Sequence, residues 1–272
     1  MSEIVKPVLP DLILNGILKS GLVIVGGKAT GKSNAGKVIA SEIIRTRPLP
    51  IQIKIFDQSS TFKWDFEPIL YQSIDENSRY FYDGDEDILF DLNLIDEIDT
   101  LSFMSKVVYT DYLRQRARKE ELNGHVDKWI LYLTEEAQGI TGSYSLIRKE
   151  GMRLMTLYAM GRNFGQTYLL IGQRLADLSS RAVERINSYI FSKMVGDNDL
   201  AKLKRIVGRK SVIIDEVQKL EIEKGQFFYY NGASTYDFNV PKYESKGQKP
   251  RPFILDPKNI PTWRYREGRK IL

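Results

Sequence analysis

Apolar positions along the chain fall into two kinds of stretch. The first is short and unbroken. Leu22-Val23-Ile24-Val25 is apolar throughout and closed on both sides by glycine, which predicts a strand buried on both faces. IQIKIFD (51–57), WILYLT (129–134), TYLLIG (167–172) and YIFSKM (189–194) repeat the pattern, and ILYQSI, YFYDG and ILFDL add shorter candidates between residues 69 and 92. The second kind has helical spacing. Leu101, Met104, Val108 and Tyr112 recur at intervals of three and four, so residues 100–122 are expected to form a helix with one buried face. Residues 31–46, ending before Pro48, a segment from about Tyr144 to Arg162, and LAKLKRIV (200–207) read the same way. Strands alternating with helices predict an α/β fold, a mostly parallel sheet with helices on both faces. Near the end, FFYYNGASTYDFNV carries Asn231-Gly232 between two β-rich runs, which predicts a C-terminal β-hairpin.

The punctuation divides the chain into a lead-in of residues 1–20, one domain over 21–240, and an arm over 241–272. The arm holds five of the ten prolines. It also holds the charge. Nine Lys/Arg against three Asp/Glu from Lys242 to Leu272 give +6, so the remaining residues sum to −1 of the total of +5. A basic arm suits a polyanion, and it equally suits a solvated tail wrapped on its own domain.

Composition removes several chemistries. With no cysteine there are no disulfides, thiolate zinc sites or cysteine nucleophiles, and with one histidine, His125, there is no histidine-rich metal cluster. No apolar run approaches the ~20 residues of a membrane-spanning helix. The N-terminus lacks the basic-then-apolar signal pattern. The expectation is a soluble, intracellular protein.

The strongest chemical signal follows the first strand. Gly26-Gly27-Lys28-Ala29-Thr30-Gly31-Lys32-Ser33-Asn34 fits the phosphate-loop spacing, with a buried strand before it and a helix after it. In such a loop the glycines let backbone N–H groups turn inward around the phosphates of ATP. Lys32 would neutralise the β- and γ-phosphates, and the Ser33 hydroxyl would ligate Mg²⁺.

Hydrolysis also needs an acidic residue for Mg²⁺ and a carboxylate for the attacking water. ILYLTEEAQ offers Glu135 and Glu136 at a strand end. VIIDEVQ offers Asp215 and Glu216 after a shorter run. Chain order favours the first. Another apolar strand follows it and ends at Gln173, placed to sense the γ-phosphate. After Glu216 come only KLEIEKG and the terminal hairpin, so 212–220 is expected to be a helix. Arg162, in GRNFG, is the first candidate for a transition-state charge donor, in cis or from a neighbouring subunit; Arg174, Arg181 and Arg185 are rivals, and a helix-end salt bridge is the plainer alternative.

Several segments read more plainly. RQRARKEE (114–121) is expected to be a solvated helix face, with the lining of a DNA channel as the alternative. DGDED (83–87) is expected to be a hairpin turn, and His125 a surface loop residue. Asp57 either approaches the site or closes a strand-end turn.

GGKATGKS, ILYLTEEAQ and GRNFGQTYLLIGQRLADLS together resemble the HerA–FtsK superfamily of DNA-pumping motors. SVIIDEVQKLEIEKGQFFYYNG resembles the family's closing helix and final strand, and the likeness runs from about residue 10 to 240. It implies a RecA-like (ASCE) P-loop NTPase fold that uses ATP and Mg²⁺. Glu135 matches the Mg²⁺-associated acid, Glu136 the catalytic glutamate and Gln173 the sensor. It also implies a homohexameric ring threading double-stranded DNA. Glu135 stands where the family usually has Asp, and Leu175 where it often has Pro. With only about twenty residues before the first strand, no N-terminal barrel of the HerA type is expected. A bare motor of this size is most similar to the genome-packaging ATPases of viruses with internal membranes, which implies association with the virion and with capsid or membrane proteins. A phosphate-loop kinase is the competing class. It lacks support from an arginine-rich lid with a return strand, and the paired glutamates with Gln173 favour water as the acceptor. An assembly or secretion ATPase that does not act on DNA is a further alternative.

Overall fold

The computed structural model describes residues 16–18, 20–46, 50–60, 62, 70–75, 84–141, 149–179, 186–208, 211–221, 226–231 and 253–254. The strands are β1 (Leu22–Val25), β2 (Ile51–Asp57), β3 (Leu70–Ser73), β4 (Ile88–Asp91), β5 (Trp129–Thr134), β6 (Gln166–Gly172), β7 (Ser188–Phe191), β8 (Gln226–Asn231) and β9 (Phe253–Ile254). The helices are α1 (Lys32–Thr46), α2 (Glu97–Glu121), α3 (Gln138–Thr141), α4 (Lys149–Gly161), α5 (Asp197–Val207) and α6 (Ser211–Lys219). They surround one sheet of order β3-β4-β2-β5-β6-β1-β7-β8-β9. From β3 to β7 every pairing is parallel; β8 and β9 close the far edge antiparallel.

Alternation along the central strands builds the layers. In β1, Val23 and Val25 enter one core while Leu22 and Ile24 enter the other. The same split separates Ile130 and Tyr132 from Leu131 and Leu133 in β5, and Tyr168 and Leu170 from Leu169 and Ile171 in β6. Ala35, Val38, Ile39 and Ile43 of α1 cover one face. Residues of α2, α4, α5 and α6 cover the other. Burial on both faces explains why these strands read as unbroken apolar runs.

A charged residue also lies in the middle of the sheet. Lys54 of β2 is fully buried, and its ammonium donates to Asp111 of α2 at 2.8 Å. The Tyr132 hydroxyl donates to the other Asp111 oxygen at 3.0 Å, and the Gln166 amide donates to that hydroxyl at 2.7 Å. The chain thereby fastens α2 to three adjacent strands. Burial pulls the Lys54 ammonium below its ordinary pKa, against the opposing pull of the Asp111 carboxylate.

One sequence expectation changes. DGDED does not form a hairpin with β4, because both neighbours of β4, β2 and β3, run parallel to it. Asp83 lies outside the described residues; residues 84–87 anchor the entry to β4. The Gln52 amide donates to the Gly84 and Glu86 carbonyls, and the Asp87 carboxylate accepts the Ile53 N–H at 2.8 Å. Turn residues look alike before a hairpin and before a crossover strand, so direction was not readable there. At the C-terminus, β8 is antiparallel to β7, whereas the second arm expected after Asn231-Gly232 lies outside the described residues. By contrast, VIIDEVQ is helical within α6.

Candidate active site

The candidate site lies at the C-terminal ends of β1, β2, β5 and β6, where parallel α/β sheets open toward ligands. The turn after β1 leads directly into α1. A Cβ on Gly26 would lie 2.5 Å from the Ser192 Cβ, so only glycine permits this close passage beside β7. Ala29 (φ 58°) and Gly31 (φ 81°) take left-handed backbone within the turn. Gly27 is tied at both of its backbone groups. Its N–H donates to the Lys193 carbonyl at 3.1 Å, and its carbonyl accepts the Thr30 hydroxyl at 2.9 Å and the Lys32 ammonium at 2.6 Å.

Lys32 is buried. Removal from water pulls its ammonium below the ordinary value of 10.5, and the charges of Glu136 and Glu135 oppose that pull. A phosphate in the loop would add its charge to theirs.

The acidic pair owes its placement to a bulge. Thr134 registers with Leu170, and the Ala137 N–H donates to the Ile171 carbonyl at 2.9 Å. A regular parallel ladder would bring the Glu136 N–H to that carbonyl, so the chain carries one extra residue over Glu135–Glu136. In a regular strand they would point to opposite faces. Here Glu136 adopts φ 52°, and both glutamates line one cleft with Lys28, Ala29, Lys32, Ser33 and Gln173. The cleft encloses about 150 Å³.

Each glutamate has its own partners. The Ser33 hydroxyl donates to Glu135 Oε1. The Ser59 hydroxyl donates to Glu135 Oε2, and the Gln58 amide donates to the Glu135 carbonyl at 3.3 Å. Gln173 donates to both carboxylate oxygens of Glu136, at 2.7 and 2.9 Å, and Gln138 donates to Oε2. A hydroxyl and a carboxylate meeting on the phosphate side of the loop are oxygen donors of the kind that Mg²⁺ takes, the rest of its shell coming from phosphate and water. The residues present therefore fit Mg²⁺ at Ser33 and Glu135, and they fit nucleotide phosphates along residues 26–34.

The loop, Glu135, Glu136 and Gln173 thus converge. Arg162 does not. It is exposed in a short 3₁₀ turn (Arg162–Phe164) before β6, while Gln173 follows the other end of that strand. Seven extended residues span roughly 23 Å. That removes the reading of Arg162 as a donor within its own chain. Arg174 sits beside Gln173, but its guanidinium faces Asp199 of α5 at 3.5 Å. Arg181 and Arg185 lie outside the described residues. Asp57 closes its own strand end, accepting the Phe62 N–H at 2.8 Å and the Ser59 N–H at 3.3 Å. Asp215 and Glu216 lie on α6, away from the cleft lining. His125 is exposed in a loop, and much of 114–121 is exposed, with Arg116 paired to Glu120 and Arg118 to Asp127.

Sequence patterns gave no sign of Ser59 or Gln138. The only available hint was their position, each two residues past an acid at a strand end. A larger cleft, about 480 Å³, opens between Gln52, Ile130 and Arg118. Its Lys128 and Arg118 are paired with Asp85 and Asp127, so the chemistry favours the smaller cleft.

No family model matches the chain, and no curated protein matches it. Solved structures do. A genome-packaging NTPase, B204, from Sulfolobus turreted icosahedral virus 2, in complex with AMPPCP, aligns with a TM-score of 0.57 at 15% identity, over 79% of this chain and 93% of that one. B204 of Sulfolobus turreted icosahedral virus, a DNA-packaging ATPase, aligns at 0.54 and 15%, over 78% and 91%. EssC (ATPases 2 and 3) from Geobacillus thermodenitrificans aligns at 0.50 and 14%, over 81% of this chain but only 41% of that one. At such identities the likeness is one of architecture, and by architecture the chain has the α/β, RecA-like fold of the P-loop ATPases.

Proposed function

We propose that the chain is an ATP hydrolase that drives double-stranded DNA through a homohexameric ring, and that its task is genome packaging. One observation carries the hydrolytic part: Glu136 and Gln173 are joined by hydrogen bonds beside Lys32, Ser33 and Glu135. A kinase needs no such water-directed pair. The DNA part is supported by the likeness to B204 over 93% of that protein's length.

The geometry supports a division of labour. Residues 26–34 cradle the phosphates, and Lys32 neutralises the β- and γ-phosphates. Ser33 and Glu135 hold Mg²⁺, which offsets phosphate charge when bound. Glu136 accepts the proton of the attacking water, and Gln173 senses the γ-phosphate. Arg162, which cannot serve its own site, serves the next subunit's. The basic arm from residue 242 supplies phosphate contacts to DNA. Among the described residues no helix is long and apolar enough to cross a membrane. Our reading is a soluble intracellular motor that joins the virion and its capsid or membrane proteins during packaging.

The test is ATP turnover with and without double-stranded DNA, with native mass measured alongside. Stimulated turnover by a six-subunit particle supports the proposal. Turnover indifferent to DNA, or a phosphorylated small-molecule product, contradicts it.

A further inference from the structure

Gln138 opens α3, two residues past Glu136, and its side-chain amide is engaged at both ends. The NH₂ group donates to Glu136 Oε2, and Oε1 faces the backbone N–H of Gln173 at 3.4 Å. The reverse amide orientation would set oxygen against carboxylate and N–H against N–H, so only this orientation satisfies both neighbours. One side chain thus ties the carboxylate on the β5 bulge to the backbone at the end of β6.

Glu136 needs such a tie. Its φ of 52° lies in the left-handed region, where a non-glycine residue is strained by about 1–3 kcal/mol and persists only when its surroundings hold it. Two amides grip the carboxylate, and they differ. Gln173 lines the cleft and is exposed, so its amide can turn toward a ligand. Gln138 is half-buried, and its far end faces main chain. If Gln173 turns to the γ-phosphate, Oε1 of Glu136 loses its partner while Oε2 keeps Gln138.

The geometry points to Gln138 as the positioning residue that holds Glu136 toward the attacking water once Gln173 has engaged the γ-phosphate. The free Oε1 then accepts the water's proton. This inference rests on the ATP-hydrolysis reading above.

The test uses the full chain with Gln138→Met, Gln138→Glu and Glu136→Gln beside the wild type. Methionine keeps the length and bulk of glutamine and removes both hydrogen bonds. Binding of a non-hydrolysable ATP analogue, measured by calorimetry, reports on folding and on the phosphate loop. The expected result for Gln138→Met is analogue affinity within about twofold of wild type and kcat lower by about 10²-fold, the cost of a reacting group misplaced by about 1 Å. Gln138→Glu should be as slow at neutral pH and recover on acidification, because only the protonated carboxyl can donate to Glu136. That rising acid limb should be missing from the wild type, and a purely packing role would not produce it. Gln138→Met turning over at the wild-type rate, with Glu136→Gln inactive, overturns this inference alone. Glu136→Gln retaining turnover, or a wild type that binds ATP without hydrolysing it, overturns the hydrolytic reading and this inference with it.

Discussion

Gln173 holds both carboxylate oxygens of Glu136, at 2.7 and 2.9 Å, across the gap between β6 and β5. The two residues are 37 positions apart in sequence and meet because their strands are parallel neighbours whose C-terminal ends coincide. With Gln138 on Oε2, the carboxylate receives three amide hydrogen bonds, only one of them on Oε1. In the proposed function, movement of Gln173 toward a γ-phosphate would leave Oε1 open to the attacking water, so the pair would link nucleotide occupancy to hydrolysis.

Lys32→Ala should abolish detectable ATP binding, since the β- and γ-phosphates lose their main counter-ion. Calorimetry checks this, and retained tight binding would remove the phosphate-loop assignment.

The same lysine sets a pH dependence. Its pKa in the free protein is lowered by burial, and bound phosphates would raise it again. Between those two values binding takes up a proton. Affinity should therefore be full below the lowered pKa and fall by up to about tenfold per pH unit above it. The fall should begin below pH 10.5, the ordinary lysine value. Folding stability moves oppositely: the unfolded chain binds more protons in the window below 10.5, so the nucleotide-free protein gains stability as pH rises through it. Calorimetry in buffers of differing ionisation enthalpy measures the uptake directly. Affinity flat to pH 10.5 would contradict the account.

Glu136→Gln should keep ATP bound and stop turnover, because an amide cannot accept the water's proton; the loss should be about 10²–10⁴-fold. Glu216→Gln should leave turnover nearly intact, since Glu216 lies on α6 with Lys219 at 3.9 Å. Steady-state hydrolysis distinguishes them, and a lethal Glu216→Gln would mean that the wrong acidic segment was chosen.

The buried pair Lys54–Asp111 makes a stability prediction. Asp111→Ala strands a buried ammonium and should cost about 3–5 kcal/mol. Lys54→Met combined with Asp111→Leu should recover most of that loss. Denaturant unfolding of the nucleotide-free chain measures both, and a double variant as unstable as the single one would contradict the analysis.

The chain's own pattern revealed the layered sheet because the central strands are buried on both faces, and strand-loop-helix order pointed to the candidate phosphate loop. Chain order also anticipated that VIIDEVQ is a helix and not a strand end. What stayed hidden depends on geometry that sequence does not encode locally. The bulge at Glu135–Glu136 arises from register with β6, and Gln138 and Ser59 gain their roles only through partners on other strands. The partner of Lys54, Asp111 on α2, is likewise set by packing and not by local pattern. Arg162 was legible as a candidate, but the sheet's direction was needed to place it away from its own site.

That placement yields a test of subunit sharing. Arg162→Ala should bind ATP and hydrolyse it slowly, since an arginine supplied in trans contributes about 10³–10⁵ in rate. Mixing it with Glu136→Gln protein should restore part of the activity, because some interfaces then pair an intact arginine with an intact glutamate. No rescue at any mixing ratio would exclude a trans role.

The central claim is that hydrolysis at Glu136 moves DNA. It is tested most directly by displacement of a third strand from a triplex built on a long duplex, with ATP added. The account predicts that the wild type strips the third strand in an ATP-dependent way and that Glu136→Gln, although able to bind ATP and duplex, does not. A wild type that hydrolyses ATP on the same duplex and leaves the third strand in place would contradict it.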